Sequence, residues 1–153
     1  MGVWSAAAPF VITGTLAIVA GGLVAAAVAH RPVQPMVWMS AYLVLIVGVA
    51  QFAFGTGQAW LTREASLVTL LIAAQWLVFN LGNAGVIVGT LTRSYPLVVA
   101  GTILFAVGIA LFLVGTRHAH AGSGLYAYRT VLGLIFLSSL VGLALSARTH
   151  GAG

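Results

Sequence analysis

Residues able to do acid–base or metal chemistry are scarce in this chain. It has a single acid, Glu64, no cysteine, six basic residues, all arginine, and four histidines: His30, His118, His120 and His150. One carboxylate makes no general acid–base pair. Without thiols there is no Cys nucleophile, thiolate metal site or disulfide. No catalytic residue is expected, and the chain reads as a non-enzyme. The histidines are the only candidate metal or haem ligands. A b-type haem between helices wants imidazoles inside facing helices, yet all four lie at the ends of apolar runs. His118-x-His120 offers two imidazoles, short of a full ligand set for zinc or copper. The cofactor therefore stays unassigned, with haem as the candidate to test.

The polar residues deep in the apolar runs are amides. Gln51 lies nine residues before Trp60, and Gln75 ten residues after Ala65. At the helical rise both sit about 14 Å from the same end of their runs. A buried amide in hydrocarbon wants a partner, so Gln51 and Gln75 are expected to bridge. Asn80 and Asn83 continue along the third run, with Trp76 on the same side. Gln51, Gln75, Asn80, Asn83 and Trp76 thus form a candidate polar track. It serves either as glue between helices or as the lining of a ligand site. Amides do not titrate, so they line such a path without driving it. Arg129 sits about one turn inside the fifth run, between Tyr126 and Tyr128. It is expected to pair with Glu64, since intramembrane charge needs a partner.

The elements that hold these residues are five apolar runs, expected as helices over residues 9–29, 36–60, 65–91, 96–116 and 125–147. About 20 apolar residues carry a helix across a bilayer. The composition is 61% hydrophobic and 5% charged, against about 25% charged in soluble domains. The expected fold class is all-α: a polytopic transmembrane bundle of five helices with short loops, forming a single integral membrane domain. The first run has no charged residue between Met1 and Phe10, so it is expected to remain a span and not be removed as a signal peptide. Pro32 and Pro35 punctuate the first break, and Pro96 suits the first turn of the fourth helix.

The net charge of +5 comes from arginines standing singly near run ends. That is the pattern of interfacial anchors, and it excludes a phosphate-tracking stripe; no nucleic-acid partner is expected. Arg31, Arg93 and Arg148 fall on one side by alternation, and Arg63 and Arg117 on the other. The positive-inside rule then favours an inner-membrane protein with its N-terminus outside and its C-terminus in the cytoplasm. Trp4, Trp38, Trp60, Tyr95, Tyr126 and Tyr128 lie near run ends as an aromatic belt.

Glycine recurs every seven residues in four runs: Gly14/Gly21, Gly48/Gly55, Gly82/Gly89 and Gly101/Gly108/Gly115. Seven residues is about two turns, so each set lies on one helix face. Such seams let backbones approach closely in lipid.

Trp38-x-x-x-Tyr42 after a Pro-rich loop, and Gln75 ahead of Asn80, resemble the tryptophan-rich sensory proteins over about residues 31–83. That resemblance implies five inner-membrane helices and tetrapyrrole binding. The first loop is shorter than that family's, the helix 3 spacing differs by one residue, and the last run lacks its aromatic pattern. The chain is accordingly assigned to no family. The leading expectation is a non-catalytic subunit or accessory partner in a larger membrane complex, an energy-transducing one among the candidates. Its partners would be the bilayer, other membrane subunits or copies of itself. Behind it stand a binder of a small apolar or flat ligand, and a haem protein.

Overall fold

The computed structural model describes residues 3–62 and 69–151. The described residues fold into five helices and no strands: α1 Val3–Val28, α2 Gln34–Leu61, α3 Thr69–Leu91, α4 Tyr95–Gly115 and α5 Ser123–Gly151. Each of the five is long and apolar enough to cross a membrane, as the apolar runs predict. The chain divides into two compact units, Met1–Arg63 and Glu64–Gly153.

The first unit is an antiparallel hairpin of α1 and α2. Helix α1 starts six residues earlier than expected and runs through Pro9. Proline removes one backbone hydrogen bond, but Ala6, Ala7 and Phe10 around it are buried, so packing holds the turn. The hairpin closes on glycines. A Cβ added to Gly14 would meet Gly48 O at 2.9 Å, and one on Gly21 would meet Ser40 O at 2.9 Å. Gly55 receives the Phe10 ring. Helix α2 begins with Pro35 in its first turn, where the missing N–H costs nothing. Its middle, Leu43–Ala50, is π-helical, with α-helix on either side. That stretch is wholly apolar, LVLIVGVA, and gives no sequence sign of the wider turn.

The second unit is built on a tighter hairpin of α3 and α4. A Cβ on Gly82 would meet Phe105 N at 2.5 Å, on Gly85 Gly101 Cα at 2.8 Å, and on Gly89 Val98 N at 2.6 Å. These pairs keep the same register to within one residue, as an antiparallel crossing requires. Backbone lies against backbone, which only glycine allows. Phe79 fills the centre, with ring centroids 5.1 Å from Phe105 and 5.9 Å from Phe112. The turn between the helices is tight. Ser94 N–H donates to Gly89 O at 2.8 Å and Arg93 N–H to Thr90 O at 3.3 Å. Arg93 takes φ 56°, the left-handed position of a Schellman cap, where glycine is usual.

Helix α5 leans on α4 only near its start. Leu125, Tyr128 and Leu132 are buried, so Tyr128 faces inward and not into an aromatic belt, while Tyr126 stays exposed. Beyond Leu132 the α5 side chains that are described are exposed or half-buried.

Candidate functional site

The polar residues inside the spans fall into one set per unit. In the first, Thr13 Oγ1 donates back to Pro9 O at 2.6 Å and accepts from Gln51 Nε2 at 2.6 Å. Ser40 Oγ donates across the hairpin to Gly21 O at 3.0 Å. Proline, threonine and glutamine thus make a short chain of bonds from α1 to α2, beside the π-helical stretch. It ends on Gln51 Oε1, which is buried and has no hydrogen-bond partner among the described residues. An unmatched buried acceptor of this kind costs about 1–3 kcal/mol. Gln58, two turns further along α2, is also buried, and Thr62 Oγ1 donates to its backbone oxygen at 2.8 Å.

In the second unit Gln75 Nε2 donates to Leu111 O on α4 at 2.9 Å. Asn83 Nδ2 donates to Phe79 O at 2.9 Å, and Asn80 Nδ2 to Trp76 O at 2.7 Å, each four residues back in the same helix. Gln75, Phe79 and Asn83 recur every four residues and are buried. Trp76 and Asn80 are half-buried at the edge of that face. The expected track along α3 therefore divides into a buried row and a flanking one. Thr102 Oγ1 continues the habit, donating to Val98 O at 2.8 Å.

Each amide bonds inside its own hairpin: Gln51 donates to Thr13 and Gln75 to Leu111. Half-buried Thr13 and buried Ser40 and Gln58 are polar residues of the spans that are not among those expected from the sequence. Gln58 carried a signal, since it follows Gln51 at the same seven-residue interval as the glycines.

Among the described residues the histidines lie outside the candidate spans, and Arg129 sits inside the start of the fifth. In the α4–α5 turn, Arg117 Nε donates to His118 Nε2 at 2.9 Å. Arg129 Nη2 reaches back to Thr116 O at 3.4 Å, placing a cation at the carbonyl end of α4, where the helix dipole favours it. Glu64, its expected partner, lies outside the described residues. His30 is exposed after α1, and His118 and His120 are exposed between α4 and α5. His150 falls in the last turns of α5, where only the backbone is described. Among the described residues no three of His, Cys, Asp or Glu come together to hold a metal.

Five helices long and apolar enough to cross a membrane, with amide and hydroxyl groups turned onto backbone carbonyls, define the class as an all-α bundle of candidate transmembrane helices. Comparison with known families, with curated proteins and with solved structures finds no match to this chain.

Proposed function

We propose that this chain is a non-catalytic subunit of a larger membrane assembly, joined to its neighbours by helix packing. The observation that carries the reading is the state of the glycines. Nine of them, in α1 to α4, would bring an added Cβ within 3.2 Å of a neighbour. Gly133 and Gly142 on α5 meet nothing within 4 Å. A glycine inside a helix costs about 1 kcal/mol relative to alanine. At those nine, close packing offsets that cost, while Gly22 on α1 also meets nothing within 4 Å; at Gly133 and Gly142 on α5 the offset is left to a helix from another chain. The amides support the same reading, because Gln75, Asn80 and Asn83 each spend a donor on their own hairpin's carbonyls.

The same reading puts the protein in a prokaryotic inner membrane, N-terminus outside and C-terminus in the cytoplasm, following the arginine bias. Native mass spectrometry of protein purified in gentle detergent tests the proposal. A second protein, or a further copy of this chain, at fixed stoichiometry supports it. A lone chain carrying a small molecule favours the ligand binder, and a Soret band in the same preparation favours the haem protein. Either result overturns the subunit reading.

A further inference from the structure

The α4–α5 turn collects positive charge without any counter-charge among the described residues. Arg117 is the second residue after α4, and its Nε is held by His118 Nε2 at 2.9 Å. That bond uses one edge of the guanidinium; the Arg117 backbone N–H donates to Val114 O at 3.2 Å, and its side chain makes no other bond among the described residues. Arg129 folds back from α5 to Thr116 O at 3.4 Å. Leu125 and Tyr128 are buried, and they pin the start of α5 to the end of α4. The fold thus brings the Arg129 guanidinium to the carbonyl of Thr116, the residue just before Arg117 in the chain. Both arginines are exposed, and the chain offers only one acid, Glu64.

The surroundings say which anion suits them. One turn below the arginines, Leu113 is 39% and Val114 43% exposed on α4, and Tyr126 is 64% exposed at the head of α5. An apolar wall under a basic rim, flanked by an interfacial tyrosine, matches a phospholipid at headgroup depth. A soluble anion would use the rim and leave the wall idle. We infer that Arg117 and Arg129 form a binding site for the phosphate of one anionic phospholipid, with its acyl chain along Leu113 and Val114. His118 acts as a positioning residue that aims Arg117.

The test is native mass spectrometry of the full chain in gentle detergent, titrated separately with phosphatidylglycerol, phosphatidylcholine and inorganic phosphate. One phosphatidylglycerol should bind in clear preference to phosphatidylcholine. Each Arg→Gln change, at Arg117 or Arg129, should weaken that preference about fivefold, and the pair about 25-fold. Arg31→Gln, on the α1–α2 turn, should leave it unchanged. Arg117→Lys with Arg129→Lys keeps the charge and should retain most of the preference, which separates lost binding from lost folding. His118→Ala should lower affinity in the wild-type background and do nothing in Arg117→Gln. Equal binding of the two lipids, or a preference untouched by the double Gln variant, would overturn the site. Inorganic phosphate displacing the lipid at equal concentration would overturn the lipid assignment in favour of a free anion.

Discussion

Gly101 provides the sharpest test of how this protein is held together. An added Cβ there would lie 2.5 Å from Val86 N, 2.7 Å from Gly85 C and 2.9 Å from Gly82 O. All three are backbone atoms, so no rotamer change relieves them. An ordinary contact begins at 3.4 Å, so α3 and α4 must part by about 0.9 Å along this seam. A gap of that order forfeits a quarter to a half of the dispersion energy of each contact it opens, and each contact is worth about 0.1–0.2 kcal/mol. Over the few tens of atom pairs along such a seam the loss is on the order of 2 kcal/mol, inside the usual cost of overpacking. Gly133→Ala is the control: its Cβ meets nothing within 4 Å, and the helix gains up to about 1 kcal/mol in propensity. Unfolding by SDS in mixed micelles, followed by circular dichroism, should place Gly101→Ala below wild type and Gly133→Ala level with it or above. Equal shifts for the two variants would refute the claim that close backbone approach stabilises this hairpin.

The remaining predictions concern single polar positions and the topology. Gln51→Leu removes the unmatched Oε1 along with the amide donor, so it should be neutral or stabilising by SDS titration. Thr13→Val instead strands the Gln51 Nε2 as well, and should cost about 1–2 kcal/mol; the reverse order of the two variants would show that Oε1 has a donor. Arg93→Gly relieves a left-handed backbone at φ 56° and should stabilise the α3–α4 turn by about 1 kcal/mol, read from the same titration. Alkaline phosphatase fused after Gly153 should be inactive in cells, and strong activity would reverse the proposed orientation.

Much of the architecture was legible because the hydrocarbon slab imposes a length. The runs ending at Leu91 and near Gly115 gave α3 and α4 to within a residue at those ends, and Pro35 marked the first turn of α2. The glycine periods of Gly82/Gly89 and Gly101/Gly108 pointed to the seam that the structure closes. Direction around the helix axis was less legible. Gln51 turns toward Thr13 because both hairpin helices set its azimuth, and no single-helix period contains that information. Pro9 looked like a helix start from its own chemistry, but buried Ala6, Ala7 and Phe10 override it. The π-helical stretch left no trace, because an unbroken apolar run has no polar residue to betray a change of phase.

That stretch, Leu43–Ala50, bears on how the chain tolerates changes in length. A π turn closes its hydrogen bond one residue later than an α turn, so it stores an extra residue between two anchored ends. Here the ends are Ser40 on Gly21 and Gln51 on Thr13. A one-residue deletion between them has a route back to plain α-helix with both anchors kept. The same deletion in the middle of α4 has no such reserve. It would turn every later residue by about 100°, carrying Phe105, Gly108 and Phe112 away from Phe79. Length variation among relatives of this protein should therefore gather in the middle of α2 and be absent from α4.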